Sequence, residues 1–399
     1  MSRNKTGVIL AALQMGVTLA ILCNALSVIG QRLAPTRSAS GVAEASLFVI
    51  ESVRTAKDDV LESRIRADLA ALRSLPNVVD AYATNSYPFA NGGMVYGLAL
   101  HPDAKPVGAL GAVYFADEHA LHTLGTKLVA GRNFNTGDVV PHRGADERPV
   151  TDGIIVSQAL ADRLAPGGLK LGETAALDPI GIRAPIIGII DTLQVPWPVG
   201  SGVMSGSEQN SMLLPYLPVS SQVAYVVRTV PERLSSVMTA ARSKLLGLDH
   251  RRIIESVRSL SESRRDAYRD ATGMATLLAI VCLMVLTVTA LGMVGLTSYL
   301  VTQRRRQIGI RRALGATRRD ITRHFQIENL LIAASGVTVG VAIAVGANLW
   351  LVNHYQIARL NGALIVVGAG VVLILSQLAA LRPALKAARV PPAEAARGI

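Results

Sequence analysis

Four stretches of this chain, residues 7–29, 273–301, 330–352 and 363–381, contain no formally charged side chain and run to 23, 29, 23 and 19 residues. A helix needs about 20 apolar residues to cross roughly 30 Å of hydrocarbon, so each is long enough to span a bilayer. The second exceeds that need and can tilt or protrude as a stalk. With half of its residues hydrophobic, the chain is too apolar for one soluble domain and too long for membrane helices alone.

The net charge of +12 is not spread evenly. Residues 31–270 carry 25 basic and 25 acidic side chains, so the excess lies in the short flanks. Arg3 and Lys5 precede the first span, eight arginines lie between residues 302 and 328, and Arg359, Arg382, Lys386, Arg389 and Arg397 flank the last span. Basic residues in short loops stay on the cytoplasmic side. Both termini and the 302–328 loop are therefore expected inside and residues 31–270 outside, and the charge is topological rather than a nucleic-acid surface. The first apolar stretch is longer than the roughly 7–15 residues of a signal-peptide core and lacks a clear small-residue cleavage site, so it is expected to stay as a span. Both cysteines, Cys23 and Cys282, fall within spans. The outer segment must then be held by its own core, which 240 residues can supply.

Within that segment the texture changes. Val60, Leu61, Ile65, Leu69, Leu72 and Leu75 sit at near-helical spacing ahead of Pro76 and Asn77. Short apolar runs broken by Gly, Pro, Asn and Asp follow, and residues 95–100, 111–115, 153–156, 184–190 and 223–230 predict strands. Ser157 can cap a short helix to Leu164 that Pro166 ends. Residues 234–248 predict another helix, residues 200–210 a Gly/Ser-rich mobile loop, and the polar run 259–270 a helix entering the second span without a break. The expected architecture is a membrane protein of four transmembrane α-helices with a large α+β domain inserted between helices 1 and 2.

Between the second and third spans stands QRRRQIGIRRALGATRRDI, Gln303 to Ile321. On one continuous helix Ile310, Ala313, Leu314, Thr317 and Ile321 would share a face, with Arg311, Arg312, Arg318 and Arg319 elsewhere. Arginines alone would fix topology, but a loop needing only charge has no use for Ile308, Ile310, Leu314 and Ile321. The stripe predicts a basic, greasy-faced knob that a soluble partner can grip or that lies on the lipid interface. Gly336 and Gly340 have the spacing that lets helices approach closely, either between copies or within the set of spans; Gly292 and Gly295 carry the same weak signal. Gln14, Asn24, Asn348 and Gln377 are polar but uncharged, which argues against a proton or ion relay. His119 and His122 stand near Asp117 and Glu118, but a polar surface turn is a better reading than a metal site needing three or four ligands in defined geometry. No G-x-x-x-x-G-K-[ST], G-x-S-x-G or H-E-x-x-H motif occurs, so no catalytic chemistry, cofactor or metal site is expected in these residues.

The Gln303 to Ile321 segment resembles the cytoplasmic loop of FtsX/MacB-type ABC transporter permeases, an R-x-x-E-I-G-I-x-R-A-x-G-A run. Ile308, Gly309, Ile310, Arg312, Ala313, Leu314, Gly315 and Ala316 follow that pattern, while Gln307 stands where the family usually has Glu. Similar in the same order are DLAALRSLPNVVDAY from Asp68, LHTLGTKLVAGRNFNTGD from Leu121, IIVSQALADRLAP from Ile154, APIIGIID from Ala184 and PPAEAAR ending at Arg397.

The resemblance implies an inner-membrane ABC transporter permease, with residues 1–30 as cytoplasmic tip and first helix and residues 31–270 as a MacB-like periplasmic core domain with stalk. Residues 271–399 would form an FtsX-like domain with coupling loop 302–328 and cytoplasmic tail 382–399. It implies a dimer with a like or related permease and a separate cytoplasmic ABC ATPase, binding ATP and Mg, docked on Gln307 to Ala316, and it admits a periplasmic adaptor. Mechanotransmission in export of peptides, antibiotics or lipid-like substrates is the expected function. An FtsX-like regulator acting on a wall hydrolase or sensor is the alternative, and a membrane-tethered enzyme finds no catalytic constellation to support it.

Overall fold

The computed structural model describes residues 5–54, 60–100, 109–144, 151–198, 204, 206–355 and 360–388. Arg3, Arg359, Arg389, Arg397, the PPAEAAR tail and residues 200–203 and 205 of the Gly/Ser-rich 200–210 stretch lie outside the described residues. The chain divides into two compact units, one of residues 1–34 with 271–399 and one of residues 35–270.

An apolar helix, α1 (Lys5–Leu33), precedes the second unit. That unit begins with β1 (Leu47–Arg54), α2 (Leu61–Arg73), β2 (Val78–Thr84), β3 (Met94–Ala99) and β4 (Ala109–Phe115). There follow α3 (Ala120–Leu124), β5 (Leu128–Gly131), β6 (Val140–His142), β7 (Ile154–Ser157), α4 (Gln158–Leu164), β8 (Thr174–Asp178) and β9 (Ile182–Ile190). It closes with β10 (Ser211–Leu214), β11 (Tyr216–Pro218), β12 (Gln222–Thr229), α5 (Leu234–Leu248), β13 (Arg252–Ser259) and α6 (Leu260–Ala267).

Four strands form an antiparallel sheet in the order β13-β1-β12-β2. β1 is central and buried on both faces, which explains its unbroken apolar start, Leu47-Phe48-Val49-Ile50. Strand alternation sends Phe48 and Ile50 against Ile65, Leu69 and Leu72 of α2 and Val237, Ala241 and Leu245 of α5. Leu47 and Val49 enter a second core with Tyr82, Tyr114 and Leu124. The remaining large sheet runs β5-β9-β7-β10-β4-β3-β8, and β8 returns to pair with β9, so six of its strands close on themselves. β10 with β4 and β7 with β9 are its parallel pairs. Ile154, Val156, Ile186, Leu160, Val113 and Met212 fill the core of this closed sheet. The Asn85 side chain joins the two layers, accepting from the Phe115 N–H at 2.7 Å and donating to the Val113 carbonyl at 3.2 Å.

A buried ionic cluster anchors the four-stranded sheet. Asp68 accepts from Arg54 at 2.5 Å, from Arg252 at 2.6 Å and from the Tyr225 hydroxyl at 2.5 Å, while Arg54 and Arg64 also reach Asp249 at 3.2 and 3.0 Å. Burying two guanidinium groups is tolerable only because each meets a carboxylate in good geometry.

The polar run expected to pass unbroken into the membrane does not do so. α6 starts at the Ser259–Glu262 capping box and ends at Tyr268, whose φ of −100° and ψ of 7° leave the helix. The next helix, α7 (Arg269–Gln303), begins one residue later. Tyr268 turns inward, 3% exposed, with its ring 6.0 Å from that of Phe89. Arg264 clamps the two ends of the unit by donating to the Thr36 carbonyl at 2.9 Å, to the Ser38 carbonyl at 2.5 Å and to Glu44.

The other unit adds α8 (Arg305–Ala313), α9 (Arg318–Tyr355) and α10 (Gly362–Ala388). α1, α7, α9 and α10 are all long and apolar enough to cross a membrane. α1 packs on α9 and α10, and α9 on α10. At the α1/α9 crossing Gly336 and Gly340 meet Gly16: a Cβ on Gly336 would come within 2.7 Å of the Ala12 carbonyl oxygen, and one on Gly340 within 2.8 Å of that of Gly16. The glycine spacing is thus used inside one chain. Polar side chains in these helices bond to neighbours: Thr18 to Thr289 at 2.6 Å, Gln14 to the Val288 carbonyl at 3.3 Å, and Asn329 to the Ser376 carbonyl at 3.0 Å. In hydrocarbon no water would satisfy them otherwise.

Candidate functional site

The arginine-rich segment folds as two helices and a turn, not as one helix. α8 ends where Gly315 takes a φ of +101°, a conformation that favours glycine and lets the Ala316 N–H return to the Arg311 carbonyl at 3.0 Å. α9 then starts from a reciprocal cap, in which Thr317 Oγ1 accepts from the Asp320 N–H at 3.2 Å and the Asp320 carboxylate accepts from the Thr317 N–H at 3.0 Å.

This break divides the face expected from spacing. Ile321, in α9, is 4% exposed and packs with Ile308 of α8, Phe325 of α9 and Ala384, Ala387 and Ala388 of α10. Ile310 is 51% and Leu314 83% exposed. One part of the apolar pattern therefore fastens the segment from behind, and another part is displayed. Of the remaining positions, Gly309 is buried and Ala316 half-buried, while Gln307, Arg311, Ala313 and Gly315 are exposed. Arg312 belongs to α8 by its backbone, and its side chain lies outside the described residues.

A carboxylate does reach this region, from another helix. Glu328 of α9 binds Arg304 at 2.7 Å, tying the end of α7 to α9 just ahead of α8. Gln307 one turn on carries no charge, so the exposed surface is basic around two aliphatic side chains. Covering a Leu or Ile side chain is worth about 1.5–3 kcal/mol, enough for an exposed pair to anchor a partner.

His119 and His122, the other sequence candidates, both place Nδ1 on Asp80, at 3.0 and 2.9 Å. Arg73 stands between two carboxylates, 3.4 Å from Asp80 and 3.1 Å from Asp117. Burial would raise Asp80, but the bonds from His122, His119 and the Ala81 N–H outweigh it and hold the carboxyl below its ordinary range. Burial wins at Asp117, which is pushed up to about 6 against the pull of Arg73. Among the described residues, no group of three or more His, Cys, Asp or Glu side chains could hold a metal ion. Spacing gave no hint of the Asp68 cluster or of an aromatic cleft beside Glu51, because their members are dispersed along the chain.

Residues 6–245 match the MacB-like periplasmic core domain and residues 279–392 the FtsX-like permease C-terminal domain. Among curated proteins, the chain is similar to two carrying the name macrolide export ATP-binding/permease protein MacB. One, from Brucella abortus (strain 2308), is 31% identical over 189 residues, covering 45% of this chain and 28% of the relative. The other, from Rhodopseudomonas palustris (strain BisB18), is 26% identical over 304 residues, covering 72% of this chain and 42% of the relative. The chain thus spans less than half the length of either. Among solved structures, the periplasmic region of MacB from Actinobacillus actinomycetemcomitans aligns at 12% identity with a TM-score of 0.34, over 57% of this chain and 94% of that one.

Proposed function

The chain belongs to the MacB/FtsX-like family of ABC transporter permeases, and from that premise we propose that it couples ATP hydrolysis by a separate cytoplasmic ATPase to a conformational change of its periplasmic domain. The task of that motion is export of a peptide, antibiotic or lipid-like substrate. The observation that carries this reading is the display of Ile310 and Leu314 in the arginine-rich knob, fastened from behind by Ile308, Ile321 and Phe325. Leu314, 83% exposed, and Ile310, 51% exposed, are the apolar pair a partner would cover.

In this reading the positive loop keeps α8 and both termini on the cytoplasmic side, the ATPase covers Ile310 and Leu314, and the arginines around them steer and orient it. Force then passes along α7 and α9, which flank α8 in the chain. A second permease completes the dimer, and ATP and Mg are bound by the ATPase. Reconstituting the chain with a candidate ATPase and measuring ATP turnover with and without it tests this. Turnover that changes on adding the permease supports coupling; turnover indifferent to it contradicts the proposal.

A further inference from the structure

The 35–270 unit contains a cleft of about 810 Å³, walled by the four-stranded sheet on one side and the closed sheet on the other. Its volume lies within the roughly 300–1,000 Å³ of small-molecule sites. Phe115, His142 and Tyr216 line it as a cluster of rings, with centroids 4.8, 5.3 and 5.2 Å apart, and Tyr96 and Tyr87 add two more. The rim residues Gly92, Ser221 and Gln222 are exposed, so the cleft opens to solvent.

Among the described lining residues one side chain is charged at neutral pH, Glu51 of β1. It is held in place: one carboxylate oxygen accepts from the Tyr87 hydroxyl at 2.9 Å and the other from the Ser256 hydroxyl at 2.6 Å. Burial and the neighbouring Glu51 both raise Tyr87, which keeps its proton and donates it. A carboxylate offers about four acceptor positions, so two donors leave room for more. Arg258, whose charge reaches Tyr87, is half exposed, outside the lining, and faces Asp266 at 3.5 Å. No lysine or arginine appears among the described lining residues.

We propose that this cleft binds an amphipathic organic cation, an amine with an aromatic or alicyclic body, its charge placed at Glu51 and its body against the half-buried Tyr96 and His142 rings, which Phe115 and Tyr216 back. Ring faces attract a desolvated cation as well as apolar carbon, so the wall and the carboxylate select for the same chemistry. An anion would be repelled by the carboxylate, and a neutral body would form no ion pair with it. The proposal deepens the export reading by naming a ligand class, yet binding here requires neither ATP nor an ATPase. Failure at this site leaves the knob's role standing, and failure of the knob leaves this site standing.

The test uses the full chain in lipid nanodiscs without nucleotide, with rhodamine 6G as cationic probe and Nile red as uncharged control, read by fluorescence polarisation. Saturable rhodamine binding is expected, about tenfold weaker in Glu51→Gln. Binding should be lost in Gly92→Trp, a rim substitution whose Cβ meets no atom within 4 Å and which therefore keeps the test valid if Glu51→Gln fails to fold. Nile red should bind Glu51→Gln as it binds the parent chain. Equal rhodamine affinity in the parent and in Gly92→Trp would place the dye on lipid or the spans and overturn the site. Loss in Gly92→Trp with no change in a folded Glu51→Gln would overturn the cation preference.

Discussion

Arg54 and Arg252 lie 5% and 4% exposed in the 35–270 unit and converge on Asp68, whereas Arg311 stands in solvent on α8 beside Ile310 and Leu314. The same side chain does opposite work in the two regions. Where 25 basic residues face 25 acidic ones, arginine is consumed internally and fixes the fold. Where eight arginines share residues 302–328 with Asp320 and Glu328, Arg304 is paired with Glu328 while Arg311 faces solvent. The aliphatic residues divide likewise: Ile308 and Ile321 hold, while Ile310 and Leu314 show.

If that contrast is right, the largest loss follows from breaking the internal cluster. Asp68→Ala removes the shared carboxylate from two buried guanidinium groups and should destabilise the chain by about 3–5 kcal/mol in denaturant unfolding of the 35–270 unit. A change below about 1 kcal/mol would mean the cluster is more hydrated than its burial implies. Next comes the helix crossing. Gly340→Leu drives a side chain into the backbone of Gly16 and should cost about 1–3 kcal/mol, seen as a lower melting temperature in detergent. Gly370→Ala, whose Cβ meets no atom within 4 Å, should leave it unchanged.

A smaller effect depends on pH. Asp117 keeps its proton up to about 6 in the folded chain because it is buried. The unfolded chain loses that proton near pH ~4. The stability from this group is complete below the lower value and is lost as pH rises from the lower value through the upper one, a decline of roughly 3 kcal/mol. Asp80, held low, works in the opposite sense and loses its contribution as pH falls. Asp117→Asn should therefore flatten the melting-temperature difference between pH 4.5 and 7.5; an unaltered difference would assign it to other groups. Least of all should α8 matter for folding: Arg311→Gln and Leu314→Asp are expected within about 0.5 kcal/mol of the parent in the same unfolding assay.

The sequence made the four membrane helices legible because length and lack of charge suffice there. Ser157 capping α4 and the run 234–248 were equally readable, since caps and helical period are local signals. β1 was not, although Leu47-Phe48-Val49-Ile50 is plainly apolar: a strand buried on both faces loses its alternation, and its partners β12 and β13 lie far along the chain. The knob was found by composition but misread in shape. Thr317-x-x-Asp320 is a helix-start signal, and Gly315 just before it a helix stop, so the break was written locally and was overridden by a stripe that matched one helix too well. The cleft beside Glu51 had no local signal at all, because its walls come from distant strands.

Co-purification of the ATPase with parent chain and with Leu314→Asp tests the central claim most directly. The account predicts a folded variant, with an unchanged melting temperature, that no longer retains the ATPase or alters its ATP turnover. A folded Leu314→Asp chain that still held the ATPase and still altered its turnover would contradict it.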